Sequence, residues 1–84
     1  MYSVLFSGAG KKRFKALNHE VQERILAALD RIKVRPEEYA MRLTGYNLYR
    51  LRVGDYRVII DIQQENHIIL VVSAGHRKNV YKRV

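Results

Sequence analysis

Apolar residues recur at two different periods along this chain, and the change of period separates predicted helices from predicted strands. From His19 onward apolar positions return every three to four residues, as on one face of an α-helix. Pro36 disfavours helical geometry in the residue before it, so this helix is predicted to end by that point. A shorter amphipathic helix is predicted at residues 11–17, with a break at residues 7–10 before it and Asn18 as a cap or hinge after it.

Alternating or continuously apolar runs fill most of the remaining chain and predict strands. These strands are predicted at residues 2–6, 41–43, 49–53, 56–62 and 67–73, followed by a tail at residues 74–84. The order of one strand, two helices and three or four further strands predicts an α+β fold. In this fold, two N-terminal helices pack on one face of a small, curved, mainly antiparallel sheet. The 84 residues are predicted to form one domain spanning residues 1–84.

A tight β-hairpin is predicted at residues 49–57. Its two-residue link begins with a glycine, which tolerates the positive φ that a type II′ turn requires. Val53 should therefore pair with Tyr56, and Arg52 should lie directly opposite Arg57.

Arginines occupy one face of this hairpin, because side chains alternate between the two faces of a strand. Leu51 and Val53 point towards the predicted helices, whereas Arg50, Arg52 and Arg57 point away from them. Like charges directly opposite each other destabilise a strand pair, and no acidic residue alternates with these arginines. The pattern predicts an open, basic surface that binds an anion.

The overall charge supports an anionic partner. Sixteen Lys and Arg residues stand against eight Asp and Glu, for a net charge of +8. Nucleic acid is the commonest partner of so basic a domain, followed by an acidic protein and then a membrane surface. The absence of cysteine excludes disulfides and thiolate metal sites and is typical of the reducing cytoplasm. No apolar run approaches the roughly 20 residues needed to span a bilayer.

Two segments of the chain carry a family resemblance. R-L-T-G-Y-N-L-Y-R-L-R-V-G-D-Y-R-V-I-I at residues 42–60 is followed by V-S-A-G-H-R-K-N-V-Y at residues 72–81. With the chain length and the element order, these segments resemble the RelE/ParE superfamily of toxins. That superfamily carries two activities on one fold: ribosome-dependent mRNA endonucleases similar to RelE, and non-enzymatic DNA gyrase inhibitors similar to ParE. The ending around Gly75 resembles the nuclease branch more closely, with gyrase inhibition as the alternative.

The resemblance to RelE implies mRNA cleavage in the ribosomal A site without a metal or other cofactor. A ribose 2′-OH attacks the adjacent phosphate, which requires a proton acceptor, cations for the developing charge and help for the departing 5′ oxygen. By position, Arg57 and Arg77 match phosphate-binding arginines of the family, and Tyr81 matches an aromatic residue used in stacking or proton transfer. Arg50 and Arg52 stand where some family members carry lysine. Arginine keeps its proton, so Arg52 is assigned to charge stabilisation.

His76 is the first candidate for proton transfer. Histidine changes its charge near cytoplasmic pH, and surrounding arginines favour its neutral form, which accepts a proton. Tyr81 is the second candidate, acting as an acid or holding a base by stacking. The hypothesis is that His76 or Tyr81 handles protons while Arg52, Arg57 and Arg77 bind the scissile phosphate. Two simpler interpretations stay open: a surface or capping role for His76, and a tail-anchoring role for Tyr81.

Further basic residues are expected to bind RNA without reading its sequence. They are Arg50, Lys78, Lys82 and Arg83. The resemblance implies three partners, namely the ribosome, its mRNA and an acidic antitoxin similar to RelB that wraps the basic surface. A helix laid on the toxin or a strand added to its sheet would each provide such binding.

Overall fold

The computed structural model describes residues 1–80 and contains a single five-stranded sheet with three helices. In chain order the elements are β1 (Ser3–Phe6), α1 (Gly8–Lys15), α2 (His19–Arg31), α3 (Pro36–Tyr39), β2 (Met41–Arg42), β3 (Tyr49–Val53), β4 (Tyr56–Gln63) and β5 (Ile68–His76). The strand order is β1-β5-β4-β3-β2, and every pair is antiparallel except β1 with β5. The predicted α+β fold with a mainly antiparallel sheet is confirmed. Among these elements no helix has the length and apolar character needed to cross a membrane.

The helices pack on one face of the sheet, as the apolar periodicity predicts. The stripe of α2 meets the inward face of β3, β4 and β5 in a continuous core. Its most deeply buried members are Ile25, Leu29, Val58, Ile60, Ile69 and Val71. Phe14 of α1 joins the same core. Burial of this apolar area is the main force that holds both helices on the sheet.

Helix α1 begins earlier than predicted. The Ser7 side chain caps it by accepting a hydrogen bond from the backbone N–H of Gly10 at 2.9 Å. The predicted helix start at residue 11 is therefore wrong, whereas the predicted end of the first strand before Ser7 is confirmed. Glycine is required at residue 10, because a Cβ on Gly10 would lie 2.1 Å from the carbonyl oxygen of Val71. Glycine at this position allows α1 to approach the backbone of β5.

Helix α2 begins where it was predicted to begin. The Asn18 side chain accepts a hydrogen bond from the backbone N–H of Val21 at 2.9 Å, which confirms Asn18 as a cap. This helix ends at Arg31, before Pro36 as predicted, and Pro36 itself occupies the first turn of α3, where a missing N–H causes no loss. The single turn of α3 was not predicted from the sequence.

Strand β5 is longer than predicted. The register pairs Val58 with Ala74, Arg57 with Gly75, and Tyr56 with His76. The prediction that the tail begins at residue 74 is therefore wrong. The apolar pattern weakens there, but the backbone of β4 continues to provide hydrogen-bonding partners. Because of this extension, residues 74–76 lie at the same end of the sheet as the hairpin turn.

Candidate functional site

The hairpin turn has the predicted geometry. Gly54 has a φ of +60°, whereas no positive φ occurs at Asp55. A positive φ at only the first central residue is the signature of a type II′ turn. Val53 pairs with Tyr56 and Arg52 with Arg57, so the predicted register is confirmed. We call the end of the sheet formed by residues 54–57 and 75–78 the hairpin end.

Arg57 is the most constrained cation at the hairpin end. Its side chain is 8% exposed, and its Nη1 donates to the carbonyl oxygens of Gly54 at 2.9 Å and Tyr56 at 3.0 Å. Nη1 carries two hydrogens, so Nε and Nη2 retain the remaining three donors. Within residues 1–80 no carboxylate forms an ion pair with Arg57. The site therefore holds a fixed, nearly buried positive charge without a counterion from this part of the chain.

The rest of the arginine face is only partly open. Arg52 is exposed and Arg50 is half-buried, with its Nη2 3.0 Å from the Sδ of Met41. Ile59 is 0% exposed and does not belong to the helix-side core, and Ser73, which pairs with it, is 1% exposed. The expectation of an open basic face is correct at Arg52. It is wrong around Arg57, whose side chain turns back onto the hairpin carbonyls.

His76 is the last residue of β5, and three contacts fix its position. Its ring meets the ring of Tyr56 edge-on, with centroids 5.5 Å apart and an interplanar angle of 78°. Its Nδ1 accepts a hydrogen bond from the backbone N–H of Lys78 at 3.2 Å, and its carbonyl oxygen accepts from that of Asn79 at 2.9 Å. A neutral imidazole with Nδ1 as acceptor carries its hydrogen on Nε2. The neutral ring thus presents Nε2 as a hydrogen-bond donor.

The two halves of the predicted site lie on opposite faces of the sheet. Tyr56 packs against the helix-side core, and His76 shares its face because the two residues are paired. Arg57 alternates to the other face. Arg77 continues the pairing past the end of β5, since its backbone N–H donates to the carbonyl oxygen of Asp55 at 2.8 Å. The structure therefore places His76, Arg57 and Arg77 at the same end of the sheet, with His76 on the helix side and Arg57 on the opposite face.

A cavity of about 260 Å³ lies on the helix side of the hairpin end. Its polar lining includes Arg13, Tyr56, His76 and Asn79. The Nη1 of Arg13 donates to the hydroxyl of Ser73 at 3.4 Å. Arg13 was not predicted as a site residue from the sequence. It lies in α1, and Leu17, which follows the end of this helix, also lines the cavity.

The remaining predicted residues divide into two groups. Lys78 and Arg77 are exposed at the hairpin end. Tyr81, Lys82 and Arg83 lie outside the described residues, so their assigned roles stay predictions.

Comparison with known proteins supports the family resemblance. The sequence profile described as "ParE toxin of type II toxin-antitoxin system, parDE" matches residues 4–81. The fold is similar to that in the RelBE2 toxin-antitoxin complex of Mycobacterium tuberculosis, with a TM-score of 0.79 at 19% identity, covering 90% of this chain and 98% of that one. No curated protein matches the chain.

Two other solved complexes share more of the sequence. The intact RelBE toxin-antitoxin complex of E. coli has a TM-score of 0.76 at 25% identity, covering 90% of this chain and 96% of that one. The archaeal RelE-RelB complex of Pyrococcus horikoshii has a TM-score of 0.72 at 28% identity, with coverages of 90% and 94%. The chain belongs to the ParE toxin family within the RelE/ParE superfamily and is a toxin of a type II toxin-antitoxin system.

Proposed function

We propose that the protein is a ribosome-dependent mRNA endoribonuclease whose RNA substrate crosses the hairpin end of the sheet. The observation that carries this proposal is the guanidinium of Arg57, fixed by two carbonyls and lacking an ion-pair partner within residues 1–80. Arg52 lies directly opposite it. A preorganised cation next to a second cation stabilises negative charge that develops on a phosphate.

The proposed reaction uses only side chains of the protein and the RNA itself. The ribose 2′ oxygen bonds to the adjacent phosphorus, the bond from phosphorus to the 5′ oxygen breaks, and a 2′,3′-cyclic phosphate and a 5′-OH are formed. Arg52, Arg57 and Arg77 stabilise the charge on the phosphoryl oxygens. The leaving 5′ oxygen takes a proton from the Nε2 of His76 in its imidazolium form, in which Nδ1 also carries a hydrogen and no longer accepts from the N–H of Lys78.

The proton of the attacking 2′-OH needs a separate acceptor. In the neutral ring, Nδ1 accepts from the N–H of Lys78 and Nε2 carries the hydrogen, so neither nitrogen of His76 accepts this proton. We assign the acceptor to Tyr81, whose phenolate oxygen would take the proton to give the neutral phenol. Stacking of its ring on the neighbouring base would be a separate binding role. This assignment narrows the roles predicted from the sequence.

Partners follow from the same surface. The structural relatives are toxins solved with RelB antitoxins. We propose that an acidic antitoxin similar to RelB covers the basic hairpin end in the cytoplasm and that the ribosome and its mRNA bind there once it is released. Complementary charge would make toxin-antitoxin association slower at high salt.

Primer extension on mRNA in a purified translation system tests the nuclease proposal. The expected result is a set of codon-phased cuts that require ribosomes. Replacing His76 with Ala should lower the cleavage rate by about 10²-fold or more, the usual contribution of a general acid. His19→Ala is the matched control, because His19 is exposed on α2 and pairs with Glu23. Cleavage by the His76→Ala variant at the parent rate would remove His76 from the chemistry.

Gyrase inhibition is the second candidate, favoured by the ParE description of the family that matches residues 4–81. A gyrase inhibitor needs a binding surface but no proton transfer. The purified protein would then block DNA supercoiling and leave translated mRNA intact. This combination of results would refute the nuclease proposal.

A further inference from the structure

Arg24 reaches the hairpin turn from the helix side. Its Nη2 lies 2.6 Å from the position that a Cβ on Gly54 would occupy, with Cζ at 3.6 Å and Nη1 at 3.9 Å. A side chain at residue 54 would therefore displace this guanidinium. Glycine at residue 54 therefore has two roles. It adopts the positive φ of the turn, and its missing side chain leaves room for the guanidinium of Arg24.

Two guanidinium groups converge on this one glycine. Arg57 donates to the carbonyl oxygen of Gly54 at 2.9 Å, while Arg24 lies against the glycine where a side chain would begin. Neither guanidinium forms an ion pair with any carboxylate of residues 1–80, including that of the adjacent Asp55. Like charges at close range repel, so folding alone gives no reason to gather them.

Arg24 is not paired with the carboxylates of its own helix. His19 pairs with Glu23 at 3.0 Å and Asp30 with Lys33 at 3.1 Å, whereas Arg31, like Arg24, forms no ion pair within residues 1–80. Arg24 follows Glu23 directly but extends to the turn. The parallel N–H groups of one guanidinium can donate to the two unesterified oxygens of a phosphodiester, so two adjacent guanidinium groups can hold two successive phosphates.

We infer that the Gly54 turn is a second phosphate-binding site, in which Arg24 holds the phosphodiester next to the scissile one that Arg57 binds in a single RNA strand. This inference deepens the proposed function and rests on it for the identity of the strand. Arg24 is a binding residue in this scheme, because it touches the substrate backbone and takes no part in proton transfer.

Salt-dependent RNA binding tests this site without relying on cleavage. The probe is a short single-stranded RNA with 2′-O-methyl groups, which cannot react, and its affinity is measured by fluorescence anisotropy over a range of KCl concentrations. Each phosphate contact with single-stranded nucleic acid contributes about 0.7 to the slope of log K against log salt. Arg24→Gln should reduce that slope by about 0.7 and weaken binding at low salt by about tenfold.

The matched control is Arg31→Gln, which removes the same charge from an exposed position two turns further along α2. It should leave the slope nearly unchanged. Arg24→Lys retains the charge without the planar fork, so it should keep the slope and lose part of the affinity. Equal slopes for Arg24→Gln and Arg31→Gln would overturn the inference.

The cleavage assay separates this inference from the proposed function. If the parent protein cuts ribosome-bound mRNA and Arg24→Gln still behaves like Arg31→Gln in RNA binding, the second site is wrong and the nuclease proposal stands. If the parent makes no cuts, the nuclease proposal fails. The phosphate site still stands if Arg24→Gln, but not Arg31→Gln, lowers the slope of log K against log salt.

Discussion

Gly10→Ala is expected to destabilise the protein although alanine is the better helix former. Gly10 lies in the first turn of α1, where this helix approaches β5. The new Cβ would be 2.1 Å from the carbonyl oxygen of Val71 and 2.8 Å from its carbonyl carbon. Both atoms belong to the backbone of an inner strand, so no side-chain rotation relieves the contact. Either α1 moves outward or β5 bends.

The net effect follows from two opposing terms. Alanine in place of glycine favours a helix by about 1 kcal/mol. Overpacking of a well-packed interior costs about 1–3 kcal/mol, and a contact this short against backbone is placed at or above the upper end of that range. The free energy of unfolding should therefore fall by about 2 kcal/mol. For a domain of this size that corresponds to a melting temperature lower by roughly 10 °C.

Gly8→Ala is the matched control, because Gly8 begins the same helix and a Cβ there has no neighbour within 4 Å. This variant should be as stable as the parent or up to about 1 kcal/mol more stable. Urea unfolding followed by circular dichroism measures both variants. If Gly10→Ala were as stable as Gly8→Ala, the close approach of α1 to β5 would not be the reason for glycine at residue 10.

Three further outcomes are expected. Asn18→Ala removes the cap that binds the N–H of Val21 and should lower the free energy of unfolding by about 1 kcal/mol in urea titrations. Leu29→Ala should cost about 2–5 kcal/mol in the same titrations, whereas Leu26→Ala, on the exposed side of α2, should change little; equal losses would contradict the assigned core face. Arg57→Met should lower the free energy of unfolding by about 1–3 kcal/mol through the loss of its two hydrogen bonds to hairpin carbonyls, whereas primer extension with the folded variant should detect at least a hundredfold slower mRNA cleavage.

Features that depend on neighbouring residues could be predicted from the sequence. The apolar stripe of α2 and the cap at Asn18 follow from helical spacing and from one side-chain hydrogen bond three residues away. The hairpin register follows from a two-residue turn that begins with Gly54, which fixes Arg52 opposite Arg57. In each case the interacting groups are close in the chain, so residue type and spacing are sufficient.

The site depended on contacts between residues far apart in the chain. Residues 74–76 join β5 because β4 offers them backbone partners, which no apolar pattern of their own indicates. Arg13 reaches the same end of the sheet by donating to the hydroxyl of Ser73, 60 residues away in the chain.

The fold class, the hairpin and its arginines were predictable from the chain alone, because hydrophobic periodicity and turn chemistry act over a few residues. The burial of Arg57 and the approach of Arg24 to the same glycine from α2 became visible in the folded structure. The direction of a long, flexible cation is set by the carbonyls and open space around it, and these belong to elements that meet only when the chain has folded.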